Sequence, residues 1–371
     1  MGLGCARDGL APTPPMGWNS WNRFGPNIDE RLIAETAEAM VRSGMRDAGY
    51  RYVVIDDAWH AAERDERGDL VPDPVRFASG MRALADHVHS LGLRFGIYTD
   101  VGTKTCQGWP GSLGYEFRDA RRFAEWGCDY VKIDWCHTDG LPARAMYEKW
   151  CLALQSAGRP MVLSICEWGR HRPWEWARGV GHLWRTCWDI QDRWSSVLEI
   201  LDRQRDLHPY AGPDGWNDPD MLEVGNGGMS EAEYRSHFSL WAMLAAPLMA
   251  GNDLRDMSDA TRAILTAPEI VQIDQDPRGR QGRWLGGDGR GEVWARELED
   301  PDARAVILFA RGDEPARLRI EWSALGWKAG TRAAVRDLWR QEDLGAFAQG
   351  FETTVPPHDV AFLRVARGTG T

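Results

Sequence analysis

Short runs of strand-forming residues alternate with longer stretches of helical periodicity through the first three quarters of the chain. In the strand candidates, apolar residues lie between turn-forming or charged residues. Eight strands are predicted: Met16–Ser20, Arg51–Asp56, Arg94–Thr99, Tyr130–Trp135, Pro160–Ile165, His182–Cys187, a weak one at Tyr210–Trp216, and Pro247–Asp253. Amphipathic helices are predicted at Glu30–Ser43, Gly80–Leu91, Tyr115–Trp126, Leu141–Ala157, Trp174–Arg178 (very short), Ser195–Leu207 and Glu231–Leu244.

Alternating strands and helices favour a parallel sheet, and eight repeats favour a closed (β/α)8 barrel, the TIM barrel. An open doubly wound sheet is the alternative. It would need a glycine-rich turn between a strand and a helix to hold a dinucleotide, and the Gly225–Gly228 run lacks that context. The sequence therefore predicts an α/β barrel without a dinucleotide cofactor.

The pattern changes after about Asp276. Six short strands separated by turn residues follow: Val293–Arg296, Ala305–Ala310, Ala316–Trp322, Ala333–Asp337, Phe351–Val355 and Ala361–Val365. Such a series predicts an antiparallel β-sandwich. We therefore expect two domains, a catalytic barrel at 1–276 and a C-terminal sandwich at 277–371.

Composition narrows the classes of partner. A formal net charge of −11 argues against nucleic acid, and no apolar run is long enough to span a bilayer. No signal peptide is visible, so we expect a cytoplasmic protein or the mature form of a secreted one. The seven cysteines show no zinc-site spacing, and the 20 tryptophans suit stacking on sugar faces as well as packing in a core.

Carboxylates and aromatic residues cluster at the predicted C-terminal strand ends, where a barrel places its active site. Seven of the eight ends carry an acid, a pattern that predicts a cup able to bind hydroxyl groups and stack on a sugar ring. Without histidine ligands, divalent-metal catalysis is the less favoured reading, and no metal or cofactor is expected. On the fourth strand, Lys132 and Asp134 share one face, where the lysine favours the ionised form of Asp134.

Glycoside cleavage needs one ionised and one protonated carboxyl group. Asp189 lies beyond the sixth strand between Trp188 and Ile190, where partial burial would favour its protonated form. A contact with Arg185 would oppose this, and the sequence leaves the balance open.

Seven stretches together resemble glycoside hydrolase family 27, the α-galactosidases and α-N-acetylgalactosaminidases. They run through nearly the whole barrel in the family's order: Pro14–Trp21, Ile55–Trp59, Gly96–Gly102, Lys132–Asp134, Cys166–Trp168, Trp184–Asp189 and Gly215–Leu222. The resemblance implies a retaining double displacement that releases terminal α-D-galactosyl residues, with Asp134 as nucleophile and Asp189 as acid/base. It also implies a disulfide between Cys106 and Cys136, and we expect the other five cysteines to be free.

The resemblance further implies which side chains bind the sugar. The implied contacts are Asp56 and Asp57 with the 4- and 6-hydroxyls, Lys132 with the 3- and 4-hydroxyls, Glu167 and Arg185 at the 2-position, Trp21 and Tyr98 on the ring-facing wall, and Asp220 and Met221 on the far side. The partner is thus an α-galactoside, small or oligosaccharide, and the protein is expected to be a monomer or homodimer.

Two departures from the family and three competing functions complete the prediction. Many eukaryotic relatives have a cysteine at Gly25 or Pro26 bridged to one at Ala58, and Trp135 follows the nucleophile where plant and animal relatives differ. On the same site, α-N-acetylgalactosaminidase is disfavoured by the bulk of Glu167. β-L-Arabinopyranosidase is disfavoured by the retention of both Asp56 and Asp57. A catalytically silent sugar-binding barrel is disfavoured because both carboxylates are present.

Overall fold

The computed structural model describes residues 8–368. Cys5 and the N-terminal stretch examined for a signal peptide lie outside this range, except for Asp8 and Gly9 at its edge. Within it, eight short parallel strands form one sheet. Their bounds are β1 Met16–Asn19, β2 Tyr52–Val54, β3 Arg94–Asp100, β4 Tyr130–Asp134, β5 Val162–Cys166, β6 Leu183–Arg185, β7 Trp216–Asp218 and β8 Leu248–Ala250.

The strands follow sequence order around the sheet, with β8 beside β1. The circle is completed not by β7 itself but by Leu222, four residues beyond it, which forms a parallel bridge with Ala250 of β8. Two backbone hydrogen bonds support that bridge, from Leu222 N to Met249 O (2.8 Å) and from Gly251 N to Leu222 O (3.0 Å). The predicted (β/α)8 barrel is confirmed.

Helices surround the sheet and bury their apolar faces on it. They are α1 Trp21–Phe24, α2 Glu30–Arg42, α3 Met45–Ala48, α4 Gly80–Ser90, α5 Glu116–Trp126, α6 Ala143–Ser156, α7 Trp194–Gln204, α8 Glu231–Met243, α9 Asp259–Leu265 and α10 Pro268–Asp274. Side chains cap the N-termini of several helices: Asp29 accepts from Leu32 N at the start of α2, and Ser230 forms a capping box with Glu233 at the start of α8. No helix within residues 8–368 is long and apolar enough to cross a bilayer.

The C-terminal part of the chain is antiparallel. A six-stranded sheet, ordered β14-β13-β16-β11-β10-β9, packs with a two-stranded sheet, β12-β15, around a core of its own. The strands are β9 Arg283–Gly287, β10 Gly291–Glu297, β11 Ala303–Ala310, β12 Ala316–Glu321, β13 Arg332–Asp337, β14 Glu342–Ala348, β15 Gly350–Val355 and β16 Val360–Arg367. The predicted sandwich is confirmed, and the proposed boundary at 276/277 falls between α10 and β9.

Three predictions about individual elements were wrong. The weak seventh strand was expected at Tyr210–Trp216 but starts at Trp216, and the expected short helix at Trp174–Arg178 is a 3-10 turn, Pro173–Glu175. Strands β9 and β14 were missed, and these are the two edges of the six-stranded sheet. Edge strands are largely exposed, so they do not carry the apolar alternation that reveals a strand packed on both sides.

Candidate active site

The register of the central strands brings the predicted residues together at one end of the barrel. In the β3–β4 pairing Tyr98 lies opposite Lys132 and Asp100 opposite Asp134, while Asp134 also lies opposite Cys166 of β5. Residues paired across parallel strands point to the same side. The alternation seen on β4 therefore continues across three strands and directs their polar side chains to the barrel mouth.

Asp134 is held by two donors. The hydroxyl of Tyr98 donates to Oδ2 (3.2 Å), and the backbone N–H of Trp135 donates to Oδ1 (3.0 Å). Burial raises the pKa of Asp134 to about 7 although Lys132 lowers it, and the charges of Asp189 and Asp56 add to the rise. The expectation that Lys132 favours the ionised form is right in direction, but burial outweighs it in the free protein.

Lys132 makes its ion pair with Asp56, not with Asp134. Its Nζ lies 2.8 Å from Asp56 Oδ2, which also accepts from Asn19 Nδ2 (2.6 Å). Asp57 turns toward the loop after β3, where Oδ2 accepts from Gln107 N (2.9 Å) and Oδ1 from Ala58 N (2.6 Å). Burial raises the pKa of Asp57 to about 6 despite these donors. Asn19 is not among the residues predicted for the site, although its position at the end of β1 places it at the same mouth of the barrel.

Arg185 connects two further predicted residues. It is almost fully buried, with Nη2 2.9 Å from Asp189 Oδ1 and Nη1 3.0 Å from Asp220 Oδ1. The second oxygen of Asp220 accepts from Ile190 N (2.8 Å), which fixes the loop carrying Asp189. Lys132, Arg185, Asp220 and Met221 also line a small cavity of about 20 Å³ below the mouth.

Asp189 differs from Asp134 in both exposure and charge. Its side chain is 62% exposed. Partial burial raises the pKa of Asp189, but the charges of Arg185 and Lys132 and the hydrogen bond from Arg185 outweigh this and hold it below its ordinary value. The balance that the sequence leaves open therefore favours the ionised form of Asp189 in the free protein, because Arg185 makes the contact that opposes protonation.

Glu167 is buried behind the mouth. Its Oε2 accepts from the backbone N of His171 and lies 2.7 Å from His171 Nδ1, while Oε1 has no hydrogen-bond partner among residues 8–368. Burial raises the pKa of Glu167 even though His171 lowers it. Trp168, the next residue, has φ +56°, so the chain turns sharply there. The Oε1 atom of Glu167 is therefore available to accept a hydrogen bond from a ligand.

Asp100 is a site residue that the set of expected contacts omitted. It is fully buried, and its carboxylate accepts from Gly102 N (2.7 Å) and from Cys136 N (2.9 Å), so it joins the loops after β3 and β4. Burial and the charge of Asp134 raise the pKa of Asp100 to about 8. Its position at the end of β3 was visible in the sequence, but its hydrogen bonds to the backbone were not.

The expected Cys106–Cys136 disulfide is present, with Cα atoms 5.2 Å apart. Cys128, Cys166 and Cys187 are free and buried. The expectation that all other cysteines are free is wrong at Cys151, which is disulfide-bonded, because sequence spacing does not report pairs formed across a fold. In the described part of the chain, one group meets the geometry of a metal site, Asp100 with Cys106 and Cys136, and the disulfide already uses both sulfurs.

Known proteins resemble the chain along nearly its whole length. A family described as "Alpha galactosidase A" matches residues 13–276, and one described as "Alpha galactosidase C-terminal beta sandwich domain" matches residues 288–365. The chain belongs to the α-galactosidase family, glycoside hydrolase family 27. Members are retaining glycosidases, so the chain is an enzyme of this class.

Three relatives illustrate the similarity. The α-galactosidase A of Cellvibrio japonicus is 48% identical over 387 residues, covering 96% of this chain and 93% of its own. The α-galactosidase of Cyamopsis tetragonoloba is 48% identical over 335 residues, covering 90% and 81%. The crystal structure of α-galactosidase I from Mortierella vinacea superposes with a TM-score of 0.94 at 37% identity, covering 96% and 98%.

Proposed function

We propose that the chain hydrolyses terminal α-D-galactosyl residues, with Asp134 as nucleophile and Asp189 as acid/base. One observation carries the assignment. A buried carboxyl group fixed by two donors and an exposed carboxyl group held by Arg185 meet at the same mouth and influence each other's charge. Two carboxyl groups with unequal surroundings are what a double displacement requires.

In the first step, an oxygen of ionised Asp134 attacks the anomeric carbon as the bond to the leaving oxygen breaks. Asp189 gives its proton to that oxygen, and a covalent galactosyl ester on Asp134 results. In the second step Asp189 takes a proton from water, the water oxygen attacks the anomeric carbon, and Asp134 leaves as a carboxylate. Two inversions give retention.

The resting protein and the reactive complex place the proton differently. With Asp134 titrating at about 7 and Asp189 held low, the pair as a unit carries one proton below about pH 7, mostly on Asp134. A bound galactoside excludes water from the exposed Asp189, which raises its pKa. The proton then passes to Asp189, and Asp134 becomes the charged nucleophile.

The remaining side chains are assigned to the sugar hydroxyls. Asp56 and Lys132 form one charged pair able both to accept from and donate to hydroxyl groups, as the 3- and 4-hydroxyls require. Asp57 is assigned to the 6-hydroxyl side, and Glu167 and Arg185 to the 2-position. Trp21 and Tyr98 supply the ring-facing wall, and Asp220 and Met221 the far side.

A substrate screen tests the function. The purified protein is assayed with p-nitrophenyl α-D-galactoside, α-N-acetylgalactosaminide and β-L-arabinopyranoside. We expect kcat/KM for the α-galactoside to exceed that for the other two substrates by at least about tenfold. The pentose leaves Asp57 without its hydroxyl partner, and Glu167 crowds the acetamide. Silence on all three, with galactose still bound, would instead establish a sugar-binding protein.

A covalent label tests the nucleophile separately. The fluorine of a 2-fluoro-galactosyl inactivator slows both steps, and an activated leaving group keeps the first step the faster one, so the ester accumulates. Peptide mass spectrometry is expected to locate the label on Asp134. A label on any other carboxylate would overturn the assignment of Asp134 as nucleophile and would leave the proposed substrate class unaffected.

A further inference from the structure

His60 is a buried imidazole to which the proposed mechanism assigns no role. It lies in the loop after β2, and its relative exposure is 0%. A neutral imidazole has one N–H donor and one acceptor nitrogen. Neither ring nitrogen of His60 has a hydrogen-bond partner among residues 8–368. Since unpaired buried polar groups destabilise a fold, an apolar side chain of similar size would suit the packing better, and packing alone does not explain a histidine here.

The loop holds this ring beside Asp57. The chain turns at Ala58, whose φ is +73°, and returns His60 to the side of that carboxylate. The ring of His60 stacks on that of Trp59, with centroids 3.8 Å apart and planes 23° apart. Trp59 is fixed in turn, because its Nε1–H donates to Tyr98 O (2.9 Å). The position of the imidazole is therefore set by its neighbours along the chain and by β3.

One ring nitrogen faces the carboxylate. His60 Nδ1 lies 4.0 Å from Asp57 Oδ1. This separation is about 1 Å longer than a hydrogen bond. Hydrogen bonds in the sites of free enzymes are often long and shorten when the substrate binds. Asp57 accepts from Ala58 N and Gln107 N, and a carboxylate has about four acceptor positions, so one can take a sugar hydroxyl and another His60.

The charge state of the ring fits a donor. Burial lowers the pKa of His60 well below its ordinary value, and the charges of Arg64 and Arg76 lower it further, so the ring is neutral. A neutral imidazole can still donate through an Nδ1–H. Such a donor would favour the ionised form of Asp57, whose pKa burial raises to about 6.

We propose that His60 is a positioning residue for the 6-hydroxyl of the galactosyl group: its Nδ1–H donates to Asp57 while Asp57 accepts from that hydroxyl. The inference rests on the proposed function, which assigns Asp57 to the 6-hydroxyl side. Backbone donors and His60 together fix the orientation in which the carboxylate binds the hydroxyl. A galactoside without a 6-hydroxyl gains nothing from His60.

The test compares kcat/KM for p-nitrophenyl α-D-galactoside with that for its 6-deoxy analogue, p-nitrophenyl α-D-fucoside. His60→Leu removes both ring nitrogens and keeps a similar volume. It should lower the ratio of the galactoside value to the fucoside value by roughly three- to tenfold, the range of a single hydrogen bond. The fall should come from the galactoside, with kcat/KM for the fucoside nearly unchanged.

Two amide variants locate the contact on the ring. His60→Asn places its amide nitrogen where Nδ1 lies and should keep the ratio within about twofold of wild type, whereas His60→Gln places it where Nε2 lies and should behave as His60→Leu. This pair remains informative if the leucine variant does not fold. His87→Leu, at a side chain 38% exposed on α4, is the matched control and should leave the ratio unchanged.

The outcomes separate the inference from the proposed function. An unchanged ratio in His60→Leu and His60→Gln would overturn the inference, and so would an equal fall for both substrates or a ratio in His60→Asn as low as in His60→Gln. A wild-type ratio near one would overturn the assignment of Asp57 and the inference with it. A wild-type protein inactive on both substrates would overturn the proposed function, and the dissociation constants of galactose and 6-deoxygalactose would then test His60 by the same ratio.

Discussion

Two buried arginines mark two regions that use buried charge differently. Arg185, at the barrel mouth, faces the carboxylates of Asp189 and Asp220. Arg296, on β10 where the sandwich meets the barrel, donates instead to backbone carbonyls, Ala242 O at 2.7 Å and Asp274 O at 3.1 Å. Burial lowers the pKa of both guanidinium groups, but carboxylates more than offset it for Arg185, whereas the pKa of Arg296 falls to about 10.

The comparison separates two roles for a buried arginine. Arg185 contacts carboxylates at the proposed active site, whereas Arg296 holds the sandwich against the barrel. Around Arg185 one carboxylate stays exposed, so its charge can change when a substrate arrives. Around Arg296 the hydrogen-bond partners are backbone carbonyls, and the neighbouring buried Asp274, whose pKa burial raises to about 8, accepts from Gln275 instead, so the contacts of the arginine fix geometry. Changes at the mouth should therefore alter rate more than stability, and changes at the interface should do the reverse.

The largest effect is expected from Asp134→Asn. An amide cannot form the ester, so kcat/KM should fall by about 10⁴-fold or more, as for other lost nucleophiles. The melting temperature should hold or rise, because the variant removes a buried carboxyl group whose pKa burial already raises. Activity is followed with p-nitrophenyl α-galactoside and stability by calorimetry. A large drop in melting temperature would break the distinction between the two regions.

Asp189→Ala should lose less and fail differently. For substrates whose leaving group needs protonation, kcat/KM should fall by about 10²–10⁴-fold, whereas activated aryl galactosides should still form the ester. Azide, which needs no general base, should then restore turnover and give galactosyl azide of retained configuration. Asp134→Asn with azide is the matched control and is expected to stay inactive by this route. Equal rescue of both variants would contradict the separate roles.

The pH dependence of kcat/KM tests the electrostatic interaction between Asp134 and Asp189. For wild-type protein, kcat/KM for melibiose should fall above about pH 7, because the last proton of the Asp134–Asp189 pair is lost there and no acid remains. The charge of Asp189 raises the pKa of Asp134. In Asp189→Asn, ester formation from an activated substrate should therefore rise with pH through a midpoint lower than 7. An unshifted midpoint would mean that the two groups do not interact.

Sequence patterns predicted most of the barrel and several of the polar side chains that lie together at its mouth, but not the hydrogen bonds and charges that act among them. Alternation on β4 was enough to place Lys132 and Asp134 on one face, and the parallel register carried that order to Tyr98 on β3. The ion pair of Lys132 with Asp56 joins β4 to the loop after β2, and no local spacing reports such a contact. Net protonation depends on burial and on partners from several strands, so the sequence alone does not decide the resting state of Asp189.

At the interface, Arg296→Met should cost stability. Two buried carbonyls lose their hydrogen-bond donor, which should destabilise the folded protein by about 1–3 kcal/mol in total. The free energy of unfolding, measured in urea, should fall by that amount, while kcat per folded molecule should remain within twofold of wild type. Arg319→Met, at an exposed position on β12 paired with Glu321, is the matched control and should stay within about 0.5 kcal/mol. A selective loss of kcat in Arg296→Met would show that the interface acts on the mouth.

The smallest effect is expected at Glu167, whose carboxylate has one oxygen held by His171 and the other without a partner in the described part of the chain. Glu167→Ser, combined with an enlarged following turn, removes bulk and charge from the proposed 2-position pocket. The ratio of kcat/KM for α-N-acetylgalactosaminide to that for α-galactoside should rise by about tenfold, a difference typical of one reshaped pocket contact. His171→Ala is the control, because it removes only the imidazole contact of the carboxylate and leaves the volume of Glu167 unchanged, and it should leave the ratio within twofold. An unchanged ratio in Glu167→Ser would mean that Glu167 does not face the 2-position and that its buried charge serves the loop, as that of Arg296 serves the interface.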